Sequence, residues 1–128
     1  MRFVVVFLLM CGTAHAACNE DIVQVKEWSV SPAGEGQNLT ISYVSKADKP
    51  IRMLDASAVF EDTLGKMILA FNLDRDGTIT PGEQMSTERK LPKNDTYDRL
   101  KVVDHSDVKA SVCVRGVVYE DGSKEGFK

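Results

Sequence analysis

Histidine and tryptophan are scarce in this chain, two and one among 128 residues, and the scarcity narrows the chemistry at once. His15 falls in a leader segment, which leaves His105 as the single imidazole for the rest of the chain. A zinc centre needs three or four protein ligands, and one histidine with two remaining cysteines is a thin supply. A catalytic triad needs side chains that converge from separate places on a fold. Asp104, His105, Ser106 and Asp107 are instead consecutive. They read as a solvated turn ahead of a strand at Val108, so no catalytic residue is assigned and the chain reads as a non-enzyme.

An excess of charge of one sign is also missing. Sixteen Lys and Arg stand against nineteen Asp and Glu, for a net charge of −3. With no basic stripe, nucleic acid is a poor partner, and so is an anionic membrane surface. No apolar run reaches the roughly 20 residues that span a bilayer. The longest, Phe3–Met10, follows Met1–Arg2 and precedes Ala14–His15–Ala16, a small-x-small cleavage pattern. Residues 1–16 therefore read as a signal peptide, and residues 17–128 as a single domain with no membrane span. Removing the leader takes Arg2 and no acid, which moves the net charge to −4. The destination is exported, periplasmic or extracellular.

Three cysteines become two once Cys11 leaves with the leader. An even pair in an oxidising compartment points to a bridge between Cys18 and Cys113. Two separate buried thiols compete with that reading. So does lipidation of Cys18, which stands next to the cleavage site, although His15 occupies the place where a lipoprotein signal carries a leucine-like residue.

Several segments alternate with a period of two, the mark of a half-buried strand. In Leu39–Tyr43 the odd positions are apolar and the even ones polar, and Leu54, Ala56, Ala58 and Phe60 continue the habit. Val112, Val114 and Val118 share one face of a later strand; Cys113, Val117 and Tyr119 share the other. Gly and Pro punctuate these runs at Pro32–Gly36, Asp48–Pro50 and Pro81–Gly82. Asp121–Gly122 is a two-residue hairpin signal of the type I′ kind. No repeat, low-complexity tract or linker divides the chain. The expectation is an all-β, immunoglobulin-like antiparallel sandwich of about seven strands. Trp28, Tyr43, Phe60, Phe71, Leu100 and the Val112–Val118 stretch supply its core.

One motif points elsewhere. Residues 72–83 place Asn72, Asp74 and Asp76 at positions 1, 3 and 5 of an EF-hand loop. Gly77 takes the sixth place, Thr78 offers a carbonyl at the seventh, and Glu83 takes the bidentate last one. Hard cations want such an oxygen cluster, so calcium is the one cofactor the sequence raises. Against it, Pro81 and Gly82 fall where the exiting helix should begin, Gly65 weakens the entering one, and no second loop exists. The competing reading is a pair of tight turns, at Asp76–Gly77 and at Pro81–Gly82.

From Leu39 to Ser86 the order of features becomes a resemblance. A strand ending Tyr43–Val44–Ser45 leads to the polar turn Asp48–Lys49–Pro50. The corner Phe60–Glu61–Asp62–Thr63–Leu64–Gly65 follows, and then Pro81–Gly82–Glu83 before the next strand. This resembles small exported immunoglobulin-like domains of the FxLYD type. The resemblance implies a sandwich used for contacts, with no assigned active site and a structural role for Glu83. The functional expectation is a non-catalytic binding or scaffolding module, a monomer or weak dimer that meets a protein or glycan in the exported compartment. The alternative is a calcium-binding secreted protein that uses residues 72–83.

Overall fold

Alternating side chains become eight strands in the computed structural model, which describes residues 18–127. The leader, and with it the cleavage site, lies outside the described residues. The strands are β1 (Val23–Ala33), β2 (Gly36–Ser45), β3 (Ile51–Asp62), β4 (Met67–Asn72), β5 (Asp76–Ile79), β6 (Gln84–Leu91), β7 (Val108–Tyr119) and β8 (Lys124–Gly126). A single helical turn, α1 (Arg99–Val102), and a 3-10 turn at His105–Asp107 lie in the connection from β6 to β7.

All strand pairings are antiparallel, and they form two sheets. One has the order β1-β2-β6; the other runs β4-β3-β7-β8, with β5 also paired to β3. β1, β2 and β6 stand where strands A, B and E stand in an immunoglobulin sandwich, and β4, β3, β7 and β8 where C′, C, F and G stand. The chain is thus an all-β sandwich, with eight strands where the sequence suggested about seven. The extra one arises because β4 and β5 follow the same edge of β3 and are interrupted only at Leu73–Arg75. Backbone hydrogen bonds from Leu73 N to Ala56 O (3.0 Å) and from Leu54 N to Arg75 O (2.9 Å) carry the pairing across that gap.

The core fills the space between the sheets. Leu39, Ile41 and Tyr43 of β2 face Leu54, Ala56, Ala58 and Phe60 of β3, all buried. Trp28 of β1 meets Phe60 edge to face, with centroids 5.6 Å apart, and so joins the sheets at mid-core. Phe71 lies only half-buried at the open side, where Arg89 of β6 covers it with the guanidinium 4.8 Å from the ring centroid. Arg89 also donates to Asn72 O at 2.9 Å. An inward-turned arginine on an edge strand both plugs the gap and discourages pairing with another chain.

Two local expectations are corrected. In β7, Asp55 pairs with Gly116 but Ala56 pairs with Val114, so Arg115 is an inserted bulge residue. The bulge reverses the alternation beyond it. Val112, Val114, Val117 and Tyr119 are therefore all buried, while Val118 goes to the outer face. The β7–β8 turn is also not type I′. Tyr119 N bonds to Ser123 O at 2.8 Å, which makes the loop the three residues Glu120–Gly122. Only Gly122, at φ 85°, has a positive φ there. This is the three-residue hairpin in which a glycine closes a bulge.

Cys18 and Cys113 are bonded, with Cα atoms 5.2 Å apart and a separation of 95 positions in sequence. Asn19 exchanges both backbone hydrogen bonds with Val114, at 2.8 and 2.9 Å. The segment that carries Cys18 thus extends the edge of β7 where β8 stops. Among the described residues no helix is long and apolar enough to cross a membrane.

Candidate functional site

The calcium-loop residues occupy extended backbone and one turn, flanked by strands and not by helices. Asn72 ends β4, Asp74 lies in the break, Asp76 and Thr78 are in β5, and Glu83 precedes β6. Strand pairing spreads the first four along one edge of β3, while Glu83 lies in the turn that leads to the other sheet, and each has its own local contact. Asn72 Oδ1 accepts from Ser57 Oγ at 2.8 Å. Asp74 lies near Tyr43, whose hydroxyl pKa is pushed up by burial first and by that carboxylate second. Asp76 pairs with Met53. Thr78 Oγ1 lies 3.4 Å from Glu120 Oε1. Glu83 N donates to Thr80 O in a turn closed by Gly82. Among the described residues no three His, Cys, Asp or Glu side chains gather in a group that could hold a metal ion. Of the two turns offered as the competing reading, Pro81–Gly82 is present; Asp76–Gly77 lies within β5.

His105 packs against the only tryptophan. Its ring stacks on Trp28 at 4.1 Å with the planes 9° apart. Its Nε2 lies 3.0 Å from Trp28 O. Nε2–H is the donor in that contact, and the imidazole acts as a cover over the edge of the core.

The outer face of the five-stranded sheet holds a different arrangement, which grows from strand register. Met53, Val118 and Lys124 are successive cross-strand partners on β3, β7 and β8. Asp55, Gly116 and Gly126 form the neighbouring row in the same way. Two of the three positions in that second row have no side chain, so a trough runs between the rows. It encloses about 440 Å³ and is bounded by Met53, Val118, Asp55, Arg75, Lys124 and Glu125.

Neither glycine is required by backbone conformation, since neither has a positive φ. A Cβ on Gly126 would meet nothing within 4 Å, and one on Gly116 only an ordinary contact at 3.5 Å to Glu125 O. Glycine within a strand weakens it and tends to mark a place where a ligand or another backbone comes close. The walls are chemically mixed. Met53 is 38% exposed, a large apolar surface at the trough's rim. Arg115, brought round by the bulge, holds Asp55 Oδ1 from Nη2 at 2.9 Å and Ser57 Oγ from Nη1 at 3.0 Å. Arg75 lies farther from Asp55, at 3.7 Å, and Lys124 has no ion-pair partner among the described residues. Glu125 accepts from the Tyr119 hydroxyl at 3.4 Å.

This trough is nearly invisible in the sequence. Its one signal was a pair of glycines outside any turn, ten residues apart, flanked by Arg115 and Lys124. No protein-family model matches the chain, and no curated protein or solved structure does either.

Proposed function

We propose that this chain is an exported, non-catalytic binding module that takes its partner on the outer face of the five-stranded sheet. The observation that carries the reading is the trough over Gly116 and Gly126, a recess that neither backbone conformation nor internal packing demands. Concave, partly apolar recesses with a few placed polar groups are the usual form of a binding site. Export is supported by the leader-like residues 1–16 and by the Cys18–Cys113 bridge, which suits an oxidising compartment. The FxLYD resemblance, carried by sequence features that include the corner residues Phe60, Asp62 and Gly65, implies a sandwich used for contacts. In that corner, Asp62 Oδ1 accepts from Leu64 N and Lys66 N.

Residues 17–128 and a Gly126→Trp variant, each immobilised and exposed to the native envelope fraction, test the reading. A Cβ at position 126 meets nothing within 4 Å, so the indole starts from open space above the trough, and an unchanged melting temperature of the variant checks that the fold is kept. A partner retained by the parent and lost by the variant is the expected result. A partner retained equally by both would move the contact to another face.

A further inference from the structure

We infer that the Cys18–Cys113 bridge fastens a removable clip, residues 18–21, and that reduction by a dithiol lifts the clip from the edge of β7 while the sandwich stays folded. On that edge β8 pairs only with Gly116–Val118. The single backbone pair below it, among the described residues, is Asn19 with Val114. Antiparallel pairing fixes which main-chain groups are at stake. The N–H and C=O of one residue point to the same side of a strand, and every second residue repeats the direction. Val114 turns both groups toward Asn19, at 2.9 and 2.8 Å. The register between β3 and β7 is unbroken from Ala56↔Val114 to Asp62↔Val108, so Val112 and Ala110 turn theirs the same way. Lifting the clip would join Val114 to these two as one bare run of edge, a template for an added strand.

Little besides the bridge holds the clip down. Its fixed end is Ile22, whose carbonyl accepts from Lys46 N at 2.7 Å. The Asn19 carboxamide bonds stay within the segment, since its Oδ1 accepts from Asp21 N and Ile22 N. Contact with β7 rests on the two Asn19–Val114 hydrogen bonds, with a 3.6 Å ion pair from Glu20 to Lys109 beside them. That pair is 48% and 59% exposed, so solvent screens it. Two hydrogen bonds do not offset the conformational entropy of ordering four residues. The bridge tips that balance by making the contact covalent. Both cysteines are half-buried, within reach of an external thiol. A dithiol attacks one sulfur and passes through a mixed disulfide. Two electrons and two protons reach the protein as two thiols, and the reductant leaves as its own disulfide.

Residue-by-residue hydrogen exchange of residues 17–128, before and after reduction with dithiothreitol, tests the inference. The Asn19 and Val114 amides should exchange about tenfold faster or more after reduction. Those of β2, the central strand of the other sheet, should keep their protection. A Cys18→Ala/Cys113→Val variant should show the reduced pattern with no reductant present. Oxidised Lys109→Ala should keep both amides protected. Unchanged exchange at Asn19 and Val114 after reduction would overturn the inference. Loss of β2 protection in step with theirs would do so too, because the bridge would then hold the whole fold. Loss of protection in oxidised Lys109→Ala would make the ion pair the fastening and have the same effect.

Discussion

Two arginines show how position within the sandwich decides what a charged side chain contributes. Arg115 makes several hydrogen bonds on the outer face, but it and Asp55 are well exposed, with 40% and 38% of their side chains accessible. Solvent screening leaves such a network little net worth, so Arg115→Ala should cost less than about 1 kcal/mol. Arg89 makes fewer contacts, yet it covers Phe71 and donates to Asn72 O across the open side of the sandwich. Its removal exposes the ring and strips a backbone carbonyl of its donor, so Arg89→Ala should cost about 1–2 kcal/mol. Urea unfolding of both variants checks the order, which a count of hydrogen bonds would reverse. The bulge at Arg115 allows a sharper comparison between adjacent valines. Val117→Asp puts a charge in the core and should cost about 3 kcal/mol or more. Val118→Asp puts it on the outer face and should cost less than about 1 kcal/mol. Unbroken alternation through β7 would predict the opposite preference relative to Val112 and Val114.

Among the elements, the turns hold their shape through carboxylates and so respond to acid. At the β3–β4 corner the backbone amide of Lys66 and then the Arg99 guanidinium, at 2.9 Å, hold the Asp62 carboxyl below its ordinary 3.8. In the β7–β8 turn the Ser123 hydroxyl and amide, followed by Lys49, hold Asp121 below it as well. A lowered folded-state pKa contributes stability that is fully present above the ordinary value and lost as pH falls through it toward the folded one. The melting temperature should therefore drop between pH 6 and pH 3, and Asp62→Asn should drop less over that interval. The turns also explain what the sequence could and could not reveal. The inner faces of β2 and β3 were legible because a period of two survives wherever no bulge intervenes. The bulge in β7 was not, because one inserted residue leaves the apolar run Val112–Tyr119 looking the same. The trough was hidden for a related reason. A two-residue turn at Asp121–Gly122 would pair Gly116 with Phe127, whereas the three-residue turn pairs it with Gly126. Two glycines meet only because the hairpin is one residue longer than its dipeptide suggests. In residues 72–83 the spacing of an EF-hand loop falls on strand and turn residues, since pairing stretches positions 72–79 along β3 and the turn at Pro81–Gly82 carries Glu83 towards the other sheet.

Taken whole, the molecule is tied by one bond that closes nearly the entire fold. Reduction, or Cys113→Ser, frees a loop of 95 residues in the unfolded chain and should cost about 4–5 kcal/mol by chain entropy. Thermal unfolding with and without reductant checks this. Addition of calcium in the same experiment should leave the melting temperature unchanged, because the carboxylates of residues 72–83 do not converge. The bond has a mechanical consequence too. Asn19 and Phe127 both lie against β7, at Val114 and Arg115, and the disulfide joins Cys18 directly to residue 113. Tension applied between residues 18 and 127 therefore bypasses β1 through β6 and loads only the β7–β8 hairpin. Stretching the oxidised chain should release about 50 Å of contour length, against about 380 Å after reduction, at 3.3–3.6 Å per residue. Oxidation would thus convert an extensible domain into a short tether, and any partner seated on β7 and β8 would lie on the only part that gives way under pull.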